Sequence, residues 1–490
     1  MSRDPVPLGT SRLASLGEGV AVPGYDRAGL APGIVHLGVG GFHRAHEARY
    51  VDELLAGGGA RDWGICGVGV RPEDQRMRDV LRAQDHLYTL VERHPDGSAD
   101  ARVIGSLVDY LFAPDDPEAV VEQLAAPTTR IVSLTITEGG YHLRPGDGEF
   151  DTEDPEIRRD LEPGAPPRTA FGLATEALRR RRARGLAPFT VLSCDNIEEN
   201  GHVARRAFEG FAELRDPSLA AWISEAVAFP NSMVDRITPA TTDEDRSFVA
   251  EAFGIADGWP VLCEPFSQWV IEDRFSAGRP PWEDAGVQVV DDVRPYELMK
   301  LRLLNAGHQV LAHLGTLAGH TFVHETSENP AFADLLLGYL EHEAGPTLDP
   351  VPGVDLGDYR RTLLSRFGNA SIADTLARQR VDASERIPKF LLPVLREQLR
   401  TGGEIRRATL AVAAWAHCAA GVDDQGRPIE LVDVRREEIR AAAARQRDDP
   451  EAMLSLGMFA GLRDDPRFVD AFVTSLKSLQ TGGARAALDA

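Results

Sequence analysis

The chain has 490 residues, 43% of them hydrophobic, too long for one ordinary core and enough for two or three domains with a large interior. Its 53 basic against 76 acidic residues give a formal net charge of -23, which disfavours nucleic acid or anionic lipid as partner and favours small-molecule chemistry. The opening run Met1-Ser2-Arg3-Asp4-Pro5-Val6-Pro7-Leu8 has no apolar leader core, and no later stretch reaches membrane length, so a cytoplasmic protein without membrane contact is expected.

In chain order, the first strong signal is Ile34-Val35-His36-Leu37-Gly38-Val39-Gly40-Gly41-Phe42-His43-Arg44-Ala45-His46, a short apolar strand running into crowded glycines and a helix start. Glycine turns the backbone tightly and lets a pyrophosphate approach the N–H groups at a helix N-terminus. The string fits the first half of a dinucleotide fingerprint, with His43 where the third glycine would stand. An ordinary strand-to-helix turn would read the same way. A helix is expected over Ala45 to Leu55 and a second strand over Trp63 to Val70. Glu73 and Asp74 follow that strand, where a dinucleotide fold keeps the acid that bonds the adenosine ribose and repels a 2′-phosphate; either acid would equally serve as a helix cap.

Further strands are expected over Arg102 to Gly105, Thr129 to Thr137 and Phe189 to Ser193, with helices between them. The Pro-, Gly- and acid-rich segment from Arg144 to Pro167 reads as an exposed excursion. The arginine run Arg179 to Arg184 reads as the C-terminal end of a helix closed by Gly185, not as a nucleic-acid patch. Cys66, Cys194, Cys263 and Cys418 form no C-x-x-C pair and read as small buried hydrophobes, and the histidines show no metal-ligand spacing. Beyond Pro295 helical periodicity dominates, with helices expected over Tyr296 to Leu317, Ala331 to Glu343, Asp355 to Phe367, Phe390 to Leu399 and Ile405 to Ala420. The division expected is 1–285 and 286–490.

In the first of these helices Lys300, Asn305 and His308 interrupt an apolar run. On an α-helix, offsets of five and eight residues rotate by roughly 140° and 80°, which leaves the three on one broad face. Alcohol oxidation needs a base for the hydroxyl proton and donors for the developing alkoxide, and this trio supplies both, provided burial or a nearby charge lowers the lysine pKa. A surface lysine beside two structural polar groups is the plainer alternative. Asn196, at the end of Ser193-Cys194-Asp195-Asn196, is a candidate second donor or part of an Asx turn, and Glu138 is a candidate proton carrier or a turn-capping acid.

Five strings together resemble the polyol-specific long-chain dehydrogenase and reductase family, which groups mannitol 2-dehydrogenases with fructuronate and tagaturonate reductases. They are Gly38 to His46, Thr135-Ile136-Thr137-Glu138-Gly139-Gly140-Tyr141, Ser193 to Asn196, Phe229-Pro230-Asn231-Ser232-Met233-Val234-Asp235-Arg236-Ile237-Thr238-Pro239, and Lys300 to His308. The resemblance implies an α/β fold: a Rossmann-type NAD-binding N-terminal domain followed by a mainly helical substrate domain. It implies metal-independent, NAD-linked exchange between a polyol and its 2-ketose, most simply D-mannitol and D-fructose. By position it makes Lys300 the general base, Asn196 and Asn305 the donors to the oxygen at C2, His308 a substrate-orienting group and Glu138 a proton relay. Asp235 becomes a polyol-binding carboxylate, Arg378 a contact to the distal hydroxyls, and Glu73 and Asp74 the cofactor-selecting pair. The glycine string places Gly38, Gly40, Gly41, Phe42 and Arg44 at the cofactor.

Two departures bear on substrate. The family's Asn-Gly-Ser-His is here Asn305-Ala306-Gly307-His308, and Arg386 stands where mannitol dehydrogenases carry lysine. Arginine's planar fork suits a carboxylate, so a hexuronate substrate is the alternative, with arabinitol and sorbitol as further polyols. A non-catalytic NAD(H)-sensing protein is the alternative of a different class. No coiled-coil heptad demands a second subunit, and a monomer is expected.

Overall fold

The computed structural model describes residues 4–144 and 148–489; the first three residues of the N-terminal run, and 145–147 of the expected excursion, lie outside this range. The chain divides into unit 1, Met1–His94 with Ser98–Arg294, and unit 2, Pro295–Ala490 with Pro95–Gly97.

Unit 1 is built on five parallel strands: β1 (Pro32–Leu37), β2 (Gly64–Gly69), β3 (Leu107–Phe112), β4 (Ile131–Leu134) and β5 (Thr190–Ser193), in spatial order β3-β2-β1-β4-β5. The inner strands are near-continuous apolar runs because helices cover both faces. Successive residues point to opposite sides: Val35, Val68 and Val132 pack with Phe171, Leu178 and Phe208, whereas Ile34, Ile65 and Ile131 pack with Tyr50, Leu54 and Trp269. The chain steps outward from β1 through β2 to β3, then returns across the sheet to β4. That reversal opens a crevice beyond the carboxyl ends of β1 and β4, where α/β sheets bind ligands. A four-stranded sheet (Val261–Cys263, Tyr88–Arg93, Ala99–Ile104, Val20–Ala21) and a three-stranded one (Ser232–Asp235, Gln268–Glu272, Gln288–Val290) complete the unit.

The helices of unit 1 used below are α1 (Gly41–Ala45), α2 (Glu47–Ala56), α3 (Gln75–Ala83), α4 (Pro117–Ala125), α5 (Pro155–Asp160) and α6 (Ala170–Ala183). Three features differ from expectation. The helix expected over Ala45 to Leu55 starts earlier and is broken at His46 (φ −123°, ψ −93°), whose buried ring bonds Gln268 O at 3.0 Å and packs on Trp269. The strands Tyr88–Arg93, Leu107–Phe112, Ser232–Asp235, Val261–Cys263, Gln268–Glu272 and Gln288–Val290 escaped the sequence reading. The excursion holds one helix, α5, with its start capped by Asp154. The arginine run ends α6 as expected, with Gly185 at φ 66°, and Arg180 pairs with Glu118, Glu122 and Glu176.

Unit 2 is helical. Arg294–Met299, a π-helical turn Lys300–Asn305 and Ala306–Leu317 run on continuously, and Ala306–Leu317 packs on Arg406–Cys418, which packs in turn on Pro466–Asp489. Asp355 caps Leu356–Phe367 through a 2.8 Å bond from the Asp358 N–H. All four cysteines are buried and free. Among the described residues no helix is long and apolar enough to cross a membrane.

Candidate cofactor cleft and lysine helix

The crevice of unit 1 is a cavity of about 940 Å³ lined by Gly38, Val39 and Gly40 after β1, Arg71 to Asp74 after β2, and Thr135 to Thr137 after β4. Gly38 has φ +95°, and a Cβ there would lie 2.3 Å from Thr135 O, so the turn accepts no side chain. Gly40 differs: its backbone is extended, and a Cβ would find protein no nearer than Gly38 O at 3.9 Å. The space it leaves at the cavity wall suits a ligand's close approach to the backbone. The residues present fit a dinucleotide: a glycine turn at a switch point, a cleft of ligand size and an acid after the second strand.

The turn is braced from below. His36 Nε2 lies 2.8 Å from Thr135 Oγ1, whose hydroxyl donates to Gly38 O at 2.6 Å. His36 Nδ1 and His43 Nδ1 lie 3.0 and 3.1 Å from Glu47 Oε2, and the Ser133 hydroxyl donates to the same oxygen at 2.8 Å. His36, His43 and Glu47 have the donors of a metal site, but the two imidazoles stack at 3.5 Å with 16° between planes. Ring-nitrogen lone pairs lie in the ring plane, and near-parallel planes do not converge on one ion. The cluster works as a hydrogen-bond network. Burial drives the His43 pKa down to about 4, whereas the imidazoles hold the Glu47 carboxyl below its usual range against the opposing pull of burial.

Of the expected cofactor residues, Gly38, Gly40, Glu73 and Asp74 line the cavity, and Gly41, Phe42 and Arg44 do not. Arg44 is 1% exposed, bonds Gly40 O and Trp259 O, and lies over the Tyr88 ring, so it holds the turn from behind. Asp74 spends one oxygen on the N–H groups of Val70 and Arg71, both at 2.9 Å, which leaves exposed Glu73 as the more outward acid.

Beyond β4 and β5, Glu138 and Asn196 are exposed, and buried Asp195 joins their loops. Its carboxylate accepts from Ile136 N at 3.1 Å, Thr137 N at 2.8 Å and the Tyr141 hydroxyl at 2.8 Å. Burial raises the Asp195 pKa despite these donors. The bonds hold Thr137 at φ 64°, a conformation costing a β-branched residue on the order of 1–3 kcal/mol. The sequence reading did not single out Asp195, which stands beside the candidate Asn196 but takes its partners from the Ile136–Tyr141 segment. Asp235 ends the strand Ser232–Asp235 at 4% exposure.

In unit 2 the π-turn changes the geometry of the lysine helix. Its i→i+5 bonding stacks residues five apart, so Asn305 lies more nearly above Lys300 than the 140° of an α-helix allows. Lys300 is 6% exposed and His308 7%. His308 packs edge-on against Phe367 with ring centroids 4.4 Å apart. Gly307 explains one departure from the family string, since a Cβ there would stand 3.2 Å from Leu336 and 3.3 Å from Phe367. Asp374, also missed by the sequence reading, receives both arms of Arg378 at 2.8 and 2.9 Å and Gln379 Nε2 at 2.8 Å. Burial pushes its carboxyl up, but Arg378, His308 and Gln379 outweigh burial and leave the pKa low. One arm of Arg386 lies 3.4 and 3.3 Å from the carbonyls of Arg378 and Gln379.

A glycine turn at the switch point of a 3-2-1-4-5 parallel sheet defines unit 1 as a Rossmann-type dinucleotide-binding fold. A family model described as the mannitol dehydrogenase Rossmann domain matches residues 32–284, and one described as the mannitol dehydrogenase C-terminal domain matches 292–480. A mannitol 2-dehydrogenase of Aspergillus fumigatus is 48% identical over 482 residues, 96% of each chain, and one of Pyricularia oryzae is 45% identical over 98% of each. Among solved structures, the Pseudomonas fluorescens mannitol 2-dehydrogenase ternary complex with NAD and D-mannitol superposes with TM-score 0.89 at 45% identity, covering 99% of both chains. A substrate-free D-sorbitol dehydrogenase gives TM-score 0.90 at 40% identity, covering 98% of this chain and all of that one. The chain belongs to the mannitol dehydrogenase family.

Proposed function

We propose that the protein is an NAD-dependent polyol 2-dehydrogenase that interconverts D-mannitol and D-fructose without a metal. The observation that carries this reading is the π-turn, which begins at buried Lys300 and brings Asn305 toward the same side of the helix, in a chain of this family. NAD, held along the cavity of unit 1, supplies the acceptor for the hydride that leaves C2. Lys300 takes the C2 hydroxyl proton, Asn305 donates an N–H to the same oxygen as its negative charge grows, and His308, held against Phe367, orients the substrate. Asn196, Glu138 and Asp235 keep the roles implied by family likeness: second donor, proton relay and polyol carboxylate. Glu73 with Asp74 selects NAD over NADP by repelling a 2′-phosphate.

Arg386 favours the neutral polyol over a hexuronate, because its guanidinium already lies against two backbone carbonyls and Arg378 already holds Asp374. Neither fork is wholly available for a terminal carboxylate. D-Sorbitol is the competing polyol, given the likeness to a D-sorbitol dehydrogenase. A cytoplasmic monomer accords with this reading. The test is NADH oxidation by purified, EDTA-treated protein with D-fructose and D-fructuronate, and NAD reduction with D-mannitol and D-sorbitol, which share fructose as C2 ketose, each offered separately at equal concentration. Faster turnover of fructose than of fructuronate, and of mannitol than of sorbitol, is expected. Faster fructuronate turnover makes the protein a uronate reductase, and NADH binding without turnover makes it a sensor.

A further inference from the structure

The cleft of unit 1 is lined by three arginines, Arg71, Arg159 and Arg168, against three acids, Glu73, Asp74 and Glu156, and the inference drawn from the arginines rests on the dinucleotide reading above. A pyrophosphate brings two negative charges. The helix behind the glycine turn is a poor counterweight: α1 has five residues and stops at His46, so few peptide dipoles align. The arginine of that turn, Arg44, is buried, gives Nε and Nη1 to backbone carbonyls and does not line the cavity. Other cations line the same cavity. Arg71 does so beside Glu73. Arg159, in the excursion, and Arg168, just past its end at Pro167, do so together with Thr169 and Ala170 at the start of the fourteen-residue α6. The excursion follows β4, so they reach the cleft from one side of the glycine turn while Glu73 and Asp74 reach it from the β2 side.

This arrangement is fixed by a buried acid. Asp160, 4% exposed, accepts from Arg168 N at 3.0 and 2.9 Å, from Thr169 N at 2.8 Å and from the Thr169 hydroxyl at 2.8 Å. Arg159 NH1 stands 3.6 Å from the same carboxylate. The guanidinium of Arg168 has no hydrogen-bond or ion-pair partner among the described residues, in a chain of net charge -23. Glu156 lines the wall too, but its carboxylate lies 3.9 Å from His142 Nε2. A guanidinium fork matches two phosphate oxygens, and holding its backbone in place lowers the entropy lost on binding.

We propose that Arg168, assisted by Arg159, is the anion clamp of the cleft and binds the pyrophosphate of the dinucleotide opposite the glycine turn. The test is equilibrium binding of NADH, ADP and adenosine to the full-length protein and to Arg168→Ala, Arg168→Lys and Arg159→Ala. Loss of one charge-assisted contact weakens NADH and ADP about 10- to 100-fold in Arg168→Ala. Adenosine affinity is expected to stay the same, lysine to recover part of the loss, and Arg159→Ala to show a smaller loss of the same kind. Added salt is expected to weaken wild-type binding more steeply than that of Arg168→Ala. Unchanged NADH and ADP affinities in Arg168→Ala overturn the clamp, as does an equal loss for adenosine, which marks base stacking instead. Should Arg168→Ala fail to fold, Arg168→Lys and Arg159→Ala decide by the same readout. A wild-type protein that binds neither NADH nor ADP is a different failure, which removes the dinucleotide reading itself.

Discussion

Lys300 is the residue on which the proposed chemistry turns. It is 6% exposed, and the base role requires its neutral amine. Lys300→Ala is expected to lower kcat about 10²- to 10⁴-fold in stopped-flow turnover while the Kd for NADH stays the same. Near-wild-type turnover would take the base role from Lys300. The two acids after β2 are expected to separate. Glu73→Gln raises NADPH use relative to NADH. Asp74→Ala also removes the acceptor of two loop N–H groups, so it lowers Tm and NADH affinity as well. Equal effects of both changes on the NADPH to NADH ratio, without loss of Tm, would contradict this division. Lys300, Asn305 and His308 were legible because polar groups inside an apolar helix are costly and therefore noticeable. Asp195, Asp374 and Arg168 were not, because their significance lies in partners far along the chain or in a cavity wall.

At the scale of elements, the sequence reading found β1, β2, β4 and β5, whose residues are almost all buried and include no acid. It missed Leu107–Phe112, an edge strand whose apolar run is broken by exposed Asp109. It also assumed an α-helical period across Lys300–Asn305. A π-turn leaves no mark in hydrophobic periodicity, because it displaces the phase of a helix by about one residue within a segment already apolar. Because a π-turn absorbs one extra residue into a wider turn, deleting Leu303 is expected to let this segment close as ordinary α-helix with Lys300 and Asn305 four apart and still only about 40° from each other. Circular dichroism would then show retained helicity beside retained turnover; lost turnover would mean that the wide turn itself is needed. The break at His46 was hidden for a similar reason, since the bond to Gln268 that sustains it spans 222 positions.

For the whole molecule, acid is the revealing stress. Burial lowers the pKa of His43 to about 4 and those of His46 and His313 to about 3. A histidine whose pKa is lower folded than unfolded confers stability that is complete above about pH 6.5 and is lost as pH falls toward the folded value. Each costs up to about 1.4 kcal/mol per pH unit across that window, so by pH 4.5 the three remove on the order of 8 kcal/mol, comparable with the whole stability of a domain. Tm is therefore expected to fall steadily from just below pH 6.5 in calorimetric scans; a flat profile down to pH 4.5 would contradict neutral burial of these rings. His43 and His46 belong to unit 1 and His313 to unit 2, so unit 1 is expected to open at the higher pH.

The buried thiols turn that expectation into something countable. Burial raises the Cys263 and Cys418 pKa values to about 12 and those of Cys66 and Cys194 also upward, so the folded chain presents almost no thiolate to oxidants or alkylating reagents. Labelling then reports opening. Three of the four cysteines lie in unit 1 and Cys418 in unit 2, which makes the mass of a briefly alkylated molecule a record of which half had come undone. A neutral-pH pulse after an acid jump should add three adducts before the fourth, and the reverse order would place the weaker half at the C-terminal end.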